Sequence, residues 1–507
     1  MPGIVASDAA GKKRKRSGNE VVAKSSKTSK KSQDGEDAQS QILSLETQIL
    51  ESKKNYSNIA TLLELCDNGD KNSGSDVAAA VALCRVYCRL MAGEKMIKSK
   101  GMKESDLEAV DWLKAQYKLY IRMLCDILGG EDEALQSTAL TLLMCLVKEE
   151  TSQDGRRAEQ AWKTGTFFHV VRTLVASSET EAAREEFVEK YLEEHDDVRF
   201  YTYLAVAQVL SKAQEQERDE IVANSLSLLS LVENVPDSAD QIEDWYGQPP
   251  ESPKHALLSL QQHKKIAQEA WLSIFRNALT KEQRKHILTI FTHRITPWFT
   301  KVEMLMDFLT DSYNAGGATS LLSLSGIFYL ITEKNLDYPA FYTKLYSLLD
   351  ESILHSKHRS RFFRLLDTFM SSTHLPAALV ASFIKRLSRL ALHAPPGGIV
   401  VVVPWVYNMM KKHPTCTFML HRVPRGKAEK KKLEEEGMDD PFNMNERDPM
   451  ETGAIDSCLW ELETLMSHYH PNVATLAKIV GEQFTKRNYN LEDFLDHTYS
   501  GVSDYCL

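Results

Sequence analysis

The sequence predicts an all-α fold, an irregular helical-repeat solenoid of the HEAT or armadillo type that follows a disordered basic N-terminal tail. Between residues 41 and 235, apolar side chains recur at three- and four-residue spacings, as on one face of an α-helix, and no convincing β-strand alternation is visible. Short connections rich in glycine, asparagine and aspartate separate these segments, as between antiparallel helices stacked in series. No strict period is visible, so the repeats are degenerate, and an ordinary helical bundle is the alternative.

The first 37 residues form the predicted tail. They contain too few large apolar side chains to offset the entropy of ordering the chain, so we expect disorder. A run of five cations within the tail indicates a nuclear import signal for the acidic groove of an import receptor, and the alternative is a solubilising tail. The five residues are Lys12, Lys13, Arg14, Lys15 and Arg16.

Two neighbouring segments illustrate how buried helix faces are assigned. Apolar residues at spacings of four, three and four predict one buried face, made of Leu135, Ala139, Leu142 and Leu146. The same reasoning, applied to the preceding helix, selects Trp112, Ala115, Leu119 and the pair Arg122-Met123.

Residues 236–253 interrupt the helical pattern with four prolines and five acidic residues, which indicates a surface loop or a linker. The adjacent Trp245 and Tyr246 are unusual in a solvated loop. They either anchor the loop on its own domain or dock a partner, because aromatic side chains are frequent interface anchors.

Residues 354–425 carry eleven lysines and arginines against one acidic residue, Asp367. Because the chain has a formal charge of −9 and this stretch contributes +10, the remainder of the chain sums to −19. A basic block within an acidic chain indicates a surface that meets an anionic partner. That partner is either RNA or acidic protein, including the acidic remainder of this chain.

Two predicted helices in this stretch separate apolar from basic residues. Their apolar faces are Phe362, Leu365, Leu366 and Phe369 in the first, and Leu379, Val380, Phe383, Ile384, Leu387 and Leu390 in the second. Because the phenylalanines have the spacing of buried core residues, they are not expected to stack on RNA bases. Any RNA contact would therefore involve the phosphates. The cations of these two helices fall off the apolar faces, and their basic faces merge into one exposed strip if the helices are neighbours. The predicted docking residues are Arg359, Arg361, Arg364, Lys385, Arg386, Arg389, Lys411 and Lys412.

The segment after the second helix contains five β-branched residues, which favour a strand, and Pro404, which disfavours a central strand. Because proline cannot donate to a central β-ladder, we expect a fully buried helix over residues 398–412. Residues 424–455 read as a charged linker, whose second half is expected to lie extended with Phe442 in a pocket. Two further helices follow it.

No pattern in the sequence indicates chemistry. The eight cysteines include no CxxC pair, and neither the cysteines nor the histidines have the spacing of a zinc site. No Walker, kinase, HExxH or GxSxG motif is present. The longest apolar run is far shorter than the roughly 20 residues of a membrane-spanning helix. We therefore expect no enzyme, no cofactor, no metal, no small-molecule substrate and no membrane partner.

Four long motifs resemble the CCAAT-binding-factor/Mak-type nucleolar family. They are RFFRLLDTFMSSTHLPAALVASFIKRLSRLALHAPP at 361–396, VPWVYNMMKKHP at 403–414, DPFNMNERDP at 440–449 and SCLWELETLMSHYHPNVATLAKIV at 457–480. The resemblance implies a nucleolar scaffold of the small-subunit processome, acting on pre-ribosomal RNA with nucleolar protein fourteen and other processome proteins. A helical-repeat scaffold for nuclear transport or transcription, without pre-ribosomal RNA, is the alternative.

Together these observations predict six regions. They are the tail at 1–37, N-terminal helical repeats at 38–235, a linker loop at 236–253, central repeats with the basic block at 254–423, a charged linker at 424–455 and a C-terminal helical pair at 456–507.

Overall fold

The computed structural model describes residues 26–68, 75–98, 102–152, 155–250, 252–356, 359–420, 426–437 and 439–495. The predicted import signal at residues 12–16 lies outside these ranges. Within them the chain forms helices joined by turns and loops and no β-strand, which confirms the all-α prediction. None of the described helices is both long enough and apolar enough to cross a lipid bilayer. The chain divides into two compact units, Met1–Asn277 and Ala278–Leu507.

The first unit is built from eleven described α-helices that pack on their neighbours in the sequence, as expected for helical repeats. They are α1 (Ser26–Glu51), α2 (Asn58–Asn68), α3 (Ser75–Ala92), α4 (Glu104–Leu128), α5 (Glu133–Thr151), α6 (Gly155–Thr164), α7 (Thr166–Ala176), α8 (Glu181–Phe187), α9 (Asp196–Lys212), α10 (Arg218–Ser230) and α11 (Leu260–Phe275).

The predicted faces of α5 and α4 have different outcomes. In α5, Ala139, Leu142 and Leu146 are buried as expected. In α4 the predicted face is wrong, because Leu119 is 48% exposed and the buried residues lie on the opposite side. Tyrosines at two core positions misled the assignment, since they bury their rings and hydrogen-bond through their hydroxyls. The core residues of α4 are Val110, Leu113, Tyr117, Tyr120, Ile121, Leu124 and Leu128.

Two predicted boundaries also differ from the structure. Helix α1 begins at Ser26, inside the segment 1–37 that was expected to be disordered. The loop at 236–253 was expected to separate two regions, but the helix that follows it, α11, packs on α9 and belongs to the first unit. The boundary between the units therefore falls after Asn277.

The second unit contains the remaining described α-helices. They are α12 (Lys281–Ile290), α13 (Met306–Asn314), α14 (Gly317–Lys334), α15 (Phe341–Ser347), α16 (Arg359–Phe369), α17 (Ala377–Ala391), α18 (Pro396–Lys412), α19 (Lys427–Glu436), α20 (Trp460–Leu465), α21 (Pro471–Ala477) and α22 (Glu492–Leu495). Helix α14 packs against α12, α13, α15 and α16, and α17 and α18 pack against each other, with α20 against α17 and with α21 and α22 against α18.

Helix α18 confirms the choice of helix over strand. It contains Pro404, and every residue from Gly397 to Met410 is buried. Proline is compatible with this helix because the residues around it bury a continuous apolar surface. The predicted apolar face of α17 is buried throughout, and α16 buries Phe362, Leu366 and Phe369.

The charged linker behaves in two ways. Its first half forms α19. Its second half runs without regular helix towards α20, and Phe442 is only 8% exposed. We call residues 439–461 the acidic strap, because its carboxylates contact α17.

Candidate functional site

Lys385 lies in the middle of α17, and its side chain is fully buried. Its ammonium group contacts three acceptors of the acidic strap: Glu461 Oε1 at 2.8 Å, Asp440 Oδ2 at 3.0 Å and the carbonyl of Cys458 at 2.6 Å. A lysine ammonium has three N–H donors, so all three are used. A buried lysine is tolerated only when it is neutralised and hydrogen-bonded in this way.

Arg389, one turn further along α17, completes a four-charge cluster. Its Nε donates to Glu461 Oε1 at 2.8 Å, and its Nη2 donates to Asp440 Oδ2 at 2.6 Å. Two cations on the helix thus face two carboxylates on the strap, and the cluster has no net charge. We call Lys385, Arg389, Asp440 and Glu461 the ionic cluster.

Asp440 is the most heavily hydrogen-bonded member of the ionic cluster. Burial alone would raise the pKa of this carboxyl, but hydrogen bonds from Ser457, Trp460 and Lys385 hold its pKa well below the ordinary value. The Ser457 hydroxyl donates at 2.5 Å and the Trp460 indole at 2.9 Å. The strap is therefore organised around the charged form of Asp440.

Arg386 holds the strap and α15 together from the neighbouring position. Its Nε donates to the carbonyl of Leu349, just beyond the end of α15, at 2.7 Å. Its Nη1 donates to the strap carbonyl of Met444 at 2.9 Å, and its guanidinium lies 4.6 Å from the ring centroid of Tyr346. These contacts link α17 to the strap and to the segment that follows α15.

The expectation that α17 presents these three cations on an exposed outer face is wrong for Lys385, and Arg386 and Arg389 are partly covered by the strap. The helical spacing was interpreted correctly, but it identifies only the residues that avoid the apolar core. It does not show whether a distant segment of the same chain covers them. Acidic protein was the alternative to RNA, and here the chain's own strap supplies the acids.

The other predicted docking residues are distributed unevenly. Arg359 is buried and donates to the carbonyl of Leu354, so the expectation that it is exposed is also wrong. Arg364 is exposed and forms a two-point ion pair with Glu492, with distances of 2.8 and 2.7 Å. Arg361 is exposed and makes no hydrogen bond or ion pair with any residue that the structure describes.

The two lysines at the end of α18 are half-buried. Lys411 donates to the carbonyl of Phe484 at 3.1 Å, and Lys412 pairs with Asp367 at 2.9 Å. They tie α18 to the C-terminal segment and to α16. The structure therefore does not bring the eight predicted residues together as one exposed strip.

In the first unit, Tyr246 anchors the loop at 236–253. Its hydroxyl donates to the carbonyl of Met144 at 2.9 Å, and its backbone N–H donates to Asp197 Oδ1 at 3.0 Å. Asp197 also accepts from the N–H of Gly247 at 2.9 Å and is almost fully buried. Trp245 is half-buried. Phe442, the third predicted anchor, lies within 6.0 Å of the Lys385 ammonium and serves the strap.

Sequence reasoning missed the acidic side of the ionic cluster. Asp440 and Glu461 were available within two of the quoted motifs, while Lys385 and Arg389 lie within another. The opposite charges of these motifs were the one sequence feature that could have indicated their contact. Within the described ranges, no group of three or more histidine, cysteine or acidic side chains is arranged to hold a metal ion. His470 instead caps α21 by accepting from the N–H of Asn472.

Comparison with known proteins matches both units. A family model described as nucleolar complex protein 4-like, TPR repeats, matches residues 30–216, and a model described as the CBF/Mak21 family matches residues 320–477. The first description assigns the repeats to the TPR type instead of the HEAT type that the sequence suggested. The ionic cluster lies entirely within the second match.

Three relatives extend the similarity over most of the chain. Nucleolar complex protein 4 of Saccharomyces cerevisiae is 43% identical, over 62% of this chain and 59% of its own. The Gallus gallus homolog is 34% identical over 90% of this chain and 91% of its own, and the Homo sapiens homolog is 34% identical over 76% and 74%. The chain therefore belongs to the nucleolar complex protein 4 family.

Proposed function

We propose that the protein is a non-catalytic helical scaffold of the nucleolus that assembles the small-subunit processome on pre-ribosomal RNA. In this role it acts in complex with nucleolar protein fourteen and supports small-subunit rRNA processing and the maturation and export of pre-ribosomes. The observation that carries the proposal is the alignment with a relative named nucleolar complex protein 4 over nine-tenths of both chains. A nucleolar role in ribosome biogenesis follows from membership of this family.

The arrangement of charge supports a scaffold. In the second unit, the ionic cluster and Arg386 connect segments of the chain to each other, and the described residues form no metal-binding group. Helical repeats stacked in series offer extended surfaces for partners. The exposed Arg361 is the predicted docking residue most available to such a partner.

Purification of the tagged chain tests the proposal. We expect recovery of small-subunit precursor RNA, nucleolar protein fourteen and other processome proteins, and depletion of the chain should cause unprocessed small-subunit rRNA to accumulate. Recovery with import receptors alone, with normal rRNA processing after depletion, would support the transport alternative and overturn the proposal.

Import is tested separately. Residues 1–31 carry nine cations and two acids. Deleting them should shift the protein from nucleus to cytoplasm, unless a tightly bound partner carries it in. Restoring only residues 12–16 should return the protein to the nucleus, whereas a scrambled tail without consecutive cations should not.

A further inference from the structure

A groove of about 810 Å³ opens on the first unit between α4 and α7. Its walls carry Lys118 and Arg122 from α4 and His169 and Arg172 from α7, all of which are exposed. Lys118 and Arg122 are four residues apart, so they lie about 6 Å apart along the helix axis. The sequence did not point to this surface, because the predicted core face of α4 was on the wrong side.

The cations of this groove have no counter-ion in ion-pair contact within the part of the chain that the structure describes. Lys118, Arg122 and Arg172 make no ion pair or side-chain hydrogen bond with the residues that the structure describes. Although His169 is exposed, partial desolvation of its ring lowers its pKa, and the positive charges of Arg172 and Arg122 lower it further, so both arginines act on the same ring. Like charges gathered without partners repel one another, and a bound anion would remove that cost.

The floor of the groove indicates what kind of anion fits. It is lined by small or hydroxylated residues, including Gly129, Thr173, Ala176 and Ser177. Among the described residues, no phenylalanine, tyrosine or tryptophan lines the groove, so it offers no large aromatic side chain for base stacking. Asp126 also lines the groove and is its one acidic residue.

The dimensions favour one strand. The axes of two packed helices lie roughly 8–10 Å apart, so the exposed side chains of α4 and α7 border a surface furrow of about that width, along which one extended sugar-phosphate backbone can lie. Phosphates spaced along such a strand would contact Lys118 and Arg122 of α4 on one side and Arg172 of α7 on the other, with His169 donating a hydrogen bond from its neutral ring. Contacts of this type hold RNA without reading its sequence.

We propose that the groove between α4 and α7 binds the phosphodiester backbone of single-stranded RNA through Lys118, Arg122, His169 and Arg172. The inference rests on the proposed function for the source of that RNA, whereas the chemistry of the groove stands on its own geometry. It assigns RNA contact to the first unit, away from the α16–α17 region that the sequence favoured.

The test uses the full-length protein and a fluorescently labelled oligouridylate, with binding measured by anisotropy over a range of salt concentrations. Arg122→Glu/Arg172→Glu is expected to weaken binding about tenfold or more. It should also reduce the slope of log affinity against log salt by about 1.4, since each lost phosphate contact accounts for about 0.7. Arg122→Gln/Arg172→Gln should reduce the slope equally while perturbing the fold less.

Lys54→Glu/Lys103→Glu is the matched control. Both lysines are exposed, lie in the same unit and make no ion pair among the described residues, and the change in net charge is identical. Retained affinity in this control, with circular dichroism unchanged in every variant, supports the groove. Equal losses in the control and groove variants would overturn it, as would wild-type protein that binds a polyglutamate peptide more tightly than the RNA.

Association with precursor particles separates the two proposals. If the wild-type chain purifies with small-subunit precursors but the groove variant binds oligouridylate normally, the groove proposal fails and the proposed function stands. If the wild-type chain binds oligouridylate through the groove but recovers no precursor RNA, the proposed function fails instead.

Discussion

Each unit carries a pair of cations four residues apart on a helix, and the two pairs have opposite environments. On α17, Lys385 and Arg389 are neutralised by carboxylates of the acidic strap, and Lys385 is fully buried. On α4, Lys118 and Arg122 follow the same four-residue spacing but stay exposed and without counter-ions in the described structure. The spacing of residues on a helix therefore separates core positions from non-core positions. Whether a non-core cation stabilises the fold or stays free to bind a partner depends on whether acidic residues from a distant part of the chain pack against it.

Replacing Lys385 should cause the largest loss of stability among the variants that test this contrast. Lys385→Met removes the donor of three contacts and leaves the buried Glu461 with only Arg389. We expect the second unit to lose about 3 kcal/mol of unfolding free energy, which is typical when one partner of a buried ion pair is removed. Amide hydrogen exchange in α17 and the strap measures it.

The control is Arg361→Met on the neighbouring α16, which removes an exposed cation that has no partner among the described residues. Its effect should stay within about 0.5 kcal/mol. Lys385→Met/Glu461→Leu should cost less than Lys385→Met alone, because an apolar pair leaves no buried carboxylate without its partner. Equal losses for Lys385→Met and Arg361→Met would mean that the ionic cluster contributes nothing to the fold.

Arg386→Ala should have the next largest effect. It removes two charged hydrogen bonds to carbonyls, those of Leu349 and Met444. We expect a loss of about 2 kcal/mol, since hydrogen bonds to charged groups contribute roughly 1.5–3 kcal/mol each and water replaces part of that. Faster exchange confined to the strap and the end of α15 would support the tether, whereas exchange unchanged there would contradict it.

Acidification should act through Asp440. Because its folded-state pKa is lower than its unfolded-state value, its charged form stabilises the fold above about pH 4, and that stabilisation is lost as the pH falls further. Asp440→Asn should be less stable at neutral pH and should show a flatter decline in acid. If Asp440→Asn loses as much stability in acid as the wild-type protein does, the pH dependence of stability comes from other carboxylates.

The exposed pair Arg364–Glu492 should have the smallest effect. Both side chains are about half exposed, so solvent screens their attraction. Arg364→Ala should leave thermal stability unchanged within error at physiological salt. A clear loss that persists in high salt would show that this pair behaves like the buried cluster and would weaken the contrast between buried and exposed cations.

Features that depend on neighbouring residues could be predicted from the sequence. The apolar faces of α16 and α17 and the burial of α18 around Pro404 follow from local spacing and proline chemistry. The ionic cluster could not be derived in this way, because Lys385 and Glu461 are 76 residues apart and no periodicity connects them. The groove was missed for a different reason. Tyr117 and Tyr120 are core residues of α4 that the predicted apolar face did not include, so the opposite side of the helix was assigned to the core.

The separation between Lys385 and its carboxylates also bears on how the chain is made. Helix α17 is synthesised before the strap, and at roughly 5–20 residues per second the ribosome needs about 4 to 15 s to add the 76 residues that lead to Glu461. Until Asp440 and then Glu461 are added, the nascent helix carries Lys385 without the two carboxylates that neutralise it in the folded unit. The second unit therefore cannot complete its folding until the strap has been synthesised. A chain truncated before the strap would expose this unpaired lysine and its apolar surroundings, and chaperones and proteases would recognise it.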